Sequence, residues 1–154
     1  MLLDLIGDTD FDMVKHVRKE LQRVPVTGRF ADPTLDVVLV SEGGSVCGGL
    51  AVYDFLHSPH LNVTISTAGI CASAATIVLQ AGKLRRAWPS TQFLLHYVST
   101  ETDDPDLKAI APYLDAQVGL ILTARMGEAN YKKAREMKSF NAQKIGRASC
   151  RERV

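Results

Sequence analysis

Apolar and polar positions alternate with two different periods along this chain, and each change of period marks a new element. Leu2, Leu3, Leu5 and Ile6 around Asp4 predict a short strand closed by Gly7-Asp8-Thr9. From Phe11 to Val24, the apolar residues Met13, Val14, Val17, Leu21 and Val24 recur every three or four positions and predict a helix. Thr9 or Asp10 can cap its start, and His16 falls on its solvated face among Lys15, Arg18 and Lys19. Pro25 to Pro33 is rich in turn residues and reads as a loop. Leu35–Val40 is β-branched and almost wholly apolar, as expected of a strand covered on both faces. Ser41-Glu-Gly-Gly-Ser45 ends it, and Val46–Leu56 reads as a helix. Residues 61–67 alternate as a strand, and Ala68–Ser73 turns into a small-residue helix through Gln80, closed by Gly82. A further strand is expected over Gln92–Val98. After the polar stretch Ser99–Pro105, residues 106–126 carry Leu107, Ile110, Leu114, Val118, Ile121 and Leu122 at helical spacing. Pro112 is expected to kink that helix or mark its effective start. A last helix covers Ala129–Met137. Strand and helix alternate from end to end, which predicts a layered α/β fold with a largely parallel sheet.

The bulk composition narrows the function classes. With 154 residues the chain can form one domain around a single core. Its formal net charge of +1 argues against a strongly basic nucleic-acid binder. No apolar run approaches the length of a membrane span, and the N-terminus lacks the basic region of a signal peptide. The three cysteines Cys47, Cys71 and Cys150 show no disulfide or zinc pattern, so a reducing, cytoplasmic setting is expected. Ile145–Val154 lacks apolar periodicity and resembles the translation of a sequencing adapter. It is set aside as a non-native tail, leaving residues 1–144 as one domain truncated at its C-terminus. Without it, three arginines and one glutamate are lost and the formal charge becomes −1.

Two strand-to-helix junctions can carry chemistry. In Ser41-Glu-Gly-Gly-Ser-Val46, paired glycines let the backbone approach a ligand and expose amide N–H groups. The pattern fits an oxyanion hole, a phosphate cradle or a plain tight turn; phosphate-loop and dinucleotide fingerprints are absent. In Gly69-Ile-Cys-Ala-Ser-Ala-Ala75, a serine at a helix start among small residues resembles a nucleophile elbow. A serine in that position also reads as a simple N-cap. His96, closing the next strand, lies where consecutive parallel strand ends share one edge, within reach of the preceding turn. His57 and His60 flank a turn around Pro59 with no partner for a metal. Cys47 and Cys71 read as small packing residues.

Taken in order, three segments carry a resemblance. Val38–Asp54 is similar to the glycine-rich signature of the Clp protease proteolytic subunits, Gly69–Ala75 resembles that family's nucleophile motif, and Phe93-Leu-Leu-His96 its histidine motif. The resemblance runs from about Leu2 to Gln143. It implies a crotonase-like fold of repeated strand–strand–helix units, with helix 106–126 as the handle joining two rings of subunits. It further implies Ser73 as nucleophile, His96 as general base, and the amides of Gly44 and Ala74 as the oxyanion hole. The implied activity is an ATP-dependent serine endopeptidase working through an acyl-enzyme in a homo-oligomeric ring, as in two stacked heptamers. An AAA+ unfoldase partner would use the ATP; the subunit itself would need no metal or nucleotide, and its substrates would be polypeptides.

The chain departs from the family pattern at four places. Glu42 replaces a proline, Ala74 replaces a methionine, and the N-terminal axial segment is not seen. Met137 stands where the family places its third triad member, an aspartate, with Glu136 beside it. Asp103, Asp104, Asp106 and Asp115 are other carboxylates, all expected to face solvent. These departures motivate a second reading, a catalytically impaired paralogue that completes a mixed ring. Two further readings rank lower: a membrane-linked Ser/Lys peptidase and an acyl-CoA enzyme of the crotonase fold.

Overall fold

A computed structural model of the chain describes residues 1–24, 33–99, 103–137 and 139–141. Strand β1 (Leu2–Ile6) leads to helix α1 (Phe11–Leu21), β2 (Thr34–Ser41) and α2 (Val46–Leu56). Strand β3 (Asn62–Ala72) is followed by α3 (Ala74–Leu79), β4 (Leu84–Ala87) and β5 (Gln92–Leu94). Helices α4 (Pro105–Met126) and α5 (Glu128–Met137) and strand β6 (Ser139–Asn141) complete the order. One sheet runs β1-β2-β3-β5-β6, with β4 also paired to β3. All pairs are parallel except β5 with β6.

Helix α1 starts where the sequence places it, because the Asp10 carboxylate accepts the N–H groups of Asp12 and Met13. It ends at Leu21, short of the expected Val24. Strand β2 differs from the expectation of two covered faces. Its alternate residues Leu35, Val37 and Leu39 are fully buried, while Val38 and Val40 are half-buried on the other side. The helices lie against the first face, where Leu3, Leu5, Val63 and Ile65 join Val17, Val52, Leu56 and Ile77 in one core. Burying such aliphatic side chains contributes roughly 1.5–3 kcal/mol each.

The main departure lies in β3. It continues as strand to Ala72, through the segment read from sequence as a turn into a helix. Its register against β2 pairs Leu39 with Thr67 but Ser41 with Cys71, so β3 holds two extra residues there. Gly69, at φ +66°, stands in this bulge. Below the bulge β3 pairs with β4, above it with β5. Strand β5 ends at Leu94, so His96 stands past the strand rather than closing it.

Helix α4 begins at Pro105, a favoured first position, with Asp104 accepting the Asp106 N–H, and runs through Pro112 as one element. Val118 and Leu122 bury one side of it in the core, while Ile110, Tyr113 and Leu120 are exposed. Near its end Arg125 donates to the carbonyls of Gln80 and Gly82 at 3.1 and 2.6 Å. These carbonyls follow α3, so the guanidinium supplies donors that the end of a short helix lacks. Among the described residues no helix is long and apolar enough to cross a membrane. Replacing Arg125 by Met should lower unfolding free energy by about 1.5–3 kcal/mol, the usual worth of bonds to a charged donor. A urea midpoint unchanged from wild type would refute that role.

Candidate active site

The offset in register brings two loops together. Counting on from the Ser41–Cys71 pair, Gly43 arrives beside Ser73. A Cβ on Gly43 would lie 2.6 Å from Ser73 Cβ and 2.7 Å from the Ala72 carbonyl oxygen, so no side chain fits there. Gly43 also sits at φ +107°, a conformation that L-residues avoid.

Ser73 itself is the one non-glycine residue with positive φ among those described, at φ 51° and ψ −124°. Such a conformation costs on the order of 1–3 kcal/mol and persists only when neighbours fix it. Here its N–H donates to the Leu94 carbonyl at 2.8 Å, and its own carbonyl accepts from the Thr76 N–H and hydroxyl. The Ser73 hydroxyl makes no capping bond to α3. The simple N-cap reading is therefore not what this serine does.

The glycine pair is held from the other side. Ser41 Oγ accepts the Gly43 N–H at 3.1 Å and bonds Thr9 Oγ1 at 3.0 Å, with both hydroxyls buried. The Thr9 N–H donates to the Gly43 carbonyl at 2.7 Å. In a trans peptide the carbonyl and the following N–H point in opposite directions. Binding the Gly43 carbonyl on the Thr9 side thus turns the Gly44 N–H away from Thr9. Gly44 lines a cavity of about 120 Å³ together with Ser73, Ala74 and His96. Val46, Ile77, Leu95, Val118 and Leu122 form its apolar wall.

His96 is exposed at the rim of this cavity. Its Nδ1 lies 2.7 Å from the Tyr97 carbonyl oxygen. A carbonyl only accepts, so a hydrogen bond there requires the proton on Nδ1, which in the neutral ring leaves the Nε2 lone pair free. No hydrogen bond joins His96 to Ser73 among the described residues. Arg135, also on the cavity, pairs with Asp115 through two contacts of 3.1 Å and donates to the His96 carbonyl at 3.2 Å. Asp115 therefore does not face solvent as expected: only about a quarter of its side chain is exposed, and that of Arg135 is 7% exposed. Its signal was absent from the local sequence, because its partner lies on another helix. Asp103, Asp104 and Asp106 are exposed as expected, and so is Glu136. Met137 ends α5; of the expected site positions its side chain alone falls outside the described residues. Glu42 points to solvent.

The cysteines divide. Cys71 is fully buried, and burial pushes its thiol up to about 12. Cys47, expected to pack, is exposed instead. His57 stacks on Tyr53, and no group of metal-ligating side chains occurs among the described residues. Cys150 lies outside the described residues, as do residues 25–32 of the expected loop and the whole 145–154 tail.

Comparison with known proteins places the chain in a family and a fold. The Clp protease family model matches residues 8–118, most of the chain, and ends before α5. The chain belongs to the Clp protease family. A Clp protease proteolytic subunit from Bdellovibrio bacteriovorus is 38% identical over 58 residues, covering 36% of this chain and 27% of that protein. One from Pleurastrum terricola is 28% identical over 97 residues, covering 62% of this chain and 48% of its own length. The chain thus spans less than half of these curated relatives. Among solved structures, a point mutant of ClpP1 from Listeria monocytogenes superposes with a TM-score of 0.79 at 15% identity, covering 97% of this chain and 87% of that one. The ClpP catalytic domain from Plasmodium falciparum gives 0.75 at 18% identity, covering 97% and 81%. These likenesses establish the shared fold.

Gly43→Ala should displace the Ser73 turn and reduce any reactivity of Ser73 by about 100-fold or more, since a 1 Å misplacement alone can cost that much. Retention of wild-type reactivity would show that the close approach is dispensable. Cys71 should resist alkylation in the folded protein at pH 8 while Cys47 reacts, read by peptide mass spectrometry. Above the ordinary thiol range the unfolded chain releases a proton that folded Cys71 retains, so this group favours unfolding as pH rises from about 9.

Proposed function

We propose that this chain is a subunit of a Clp-type serine endopeptidase. The observation that carries the reading is the strained Ser73, whose hydroxyl makes no capping bond and, among the described residues, shares one cavity with His96 and Gly44. Ser73 Oγ attacks the scissile carbonyl carbon while His96 Nε2 takes the hydroxyl proton. The developing oxyanion is met by the N–H of Gly44, turned away from Thr9, and by that of Ala74, which opens α3 and has no partner within it. Collapse of the tetrahedral intermediate breaks the C–N bond, and His96 returns the proton to the leaving amine. Water then enters by the same route in reverse roles and releases the acyl group. The apolar wall favours an apolar substrate side chain beside the scissile bond.

The exposed face of α4 supports an assembled enzyme. Ile110, Tyr113 and Leu120 leave α4 with apolar surface that a second copy can cover, in keeping with a ring of subunits or two stacked heptamers. An AAA+ partner of the Clp type would supply ATP-driven unfolding of polypeptide substrates, the subunit needing no metal or nucleotide of its own. The place of action proposed is the cytoplasm, although one relative, from Arabidopsis thaliana, carries a chloroplastic name.

The second reading is a structural subunit without full activity. It is favoured by one observation: among the described residues no carboxylate touches the His96 imidazole. Labelling with a fluorophosphonate probe separates the two. In the assembled protein the probe should modify Ser73, Ser73→Ala should abolish the label, and His96→Gln should slow it about 10²–10⁴-fold. An intact oligomer that takes no label establishes the structural subunit instead.

A further inference from the structure

We infer that Asp115 orients the His96 imidazole through the Tyr97–Val98 peptide, acting as a remote positioning residue where no carboxylate touches the ring. This rests on the peptidase reading for its consequence, but its geometry stands alone. Residues 95–99 lie beyond β5 and carry no regular structure. Among the described residues, the backbone of 96–98 finds no backbone partner, and side chains instead meet the His96 and Tyr97 carbonyls and the Val98 N–H. Arg135 Nη1 donates to the His96 carbonyl at 3.2 Å, fixing the first peptide plane. Asp115 Oδ1 accepts the Val98 N–H at 2.9 Å, fixing the second.

That second plane also contains the Tyr97 carbonyl, the acceptor for His96 Nδ1 at 2.7 Å. Because the peptide is trans, holding its N–H on Asp115 aims its carbonyl the opposite way, toward the imidazole. Hydrogen bonds in series polarise one another, so a carboxylate on the N–H makes the carbonyl a stronger acceptor. The order is carboxylate, peptide, Nδ1–H, with Nε2 left free to accept a proton. Arg135 completes the clamp. Its guanidinium grips both Asp115 oxygens and stacks 3.7 Å over the Tyr97 ring, fixing the residue whose carbonyl is used. Asp115 and Arg135 come from α4 and α5, so the handle side of the fold sets the rotor of a histidine carried by the sheet.

The test reads the tautomer of His96 by nitrogen NMR of histidine-labelled protein, assigned with His96→Gln, alongside fluorophosphonate labelling. In the wild-type oligomer the neutral ring should carry its proton on Nδ1. Asp115→Asn keeps an acceptor of similar shape but loses the charge and sets an amide against Arg135. It should shift the ring toward a mixture of tautomers and slow Ser73 labelling about 10–100-fold, as loss of an outer-shell partner does. Asp115→Glu should recover much of both. Arg135→Lys, which keeps a cation beside Asp115, should leave the wild-type tautomer in place with a smaller loss of rate. A wild-type ring protonated on Nε2 overturns the inference whether or not any variant folds. An unchanged tautomer in folded Asp115→Asn overturns it as well. If wild-type Ser73 takes no label, the peptidase reading fails while the tautomer comparison still decides the role of Asp115.

Discussion

The two-residue offset between β2 and β3 is the constraint on which the site depends. Without it, Ser41 would face Gly69 rather than Cys71, and the glycine pair would miss the Ser73 turn. With it, two strand ends bring their backbones close enough that a single methyl group on Gly43 would collide. Each side then restrains the other. Ser73 is held in an unfavourable conformation by bonds to β5 and α3, and Gly43 is held by Thr9 and Ser41. The energetic support for the strain comes from the parallel strands, whose inner faces are fully buried.

Much of this was legible in the sequence because it is local. Helix α2 is bounded as its pattern indicated, Asp10 caps α1, and the small-residue motifs around Gly43 and Ser73 do meet. Helical and strand periods are readable wherever one face is buried and the other is wet. The segment Gly69–Ala72 differs from the sequence reading because Gly-Ile-Cys-Ala is too short and too small to show a period, so only pairing with β5 reveals it as strand. Strand β4 went unseen because Leu84-Arg-Arg-Ala87 is short and half polar, and its only described partner is β3.

His96 and Asp115 mark the limit of such reading. His96 was expected to close its strand but stands two residues past it, since β5 ends at Leu94. A carboxylate on a long helix has the same local appearance whether it meets water or an arginine from the next helix. Asp115 became recognisable only once Arg135 was beside it. The partly buried pair itself is a modest source of stability, because desolvation offsets much of the attraction between its charges. Its value lies in fixing one arrangement of the segment 96–98.

The approach of Gly43 to Ser73 also bears on when in folding the Ser73 turn takes its shape. Leu94, Gly43 and His96 all reach the serine from far along the chain, and contacts of that kind form slowly in folding. A growing or half-folded chain displays Ser73 as an ordinary alcohol, in a relaxed backbone with no glycine amide beside it. The strained turn and its cavity come into being only as the sheet closes in correct alignment. A misaligned copy loses that turn by the same error that misfolds it.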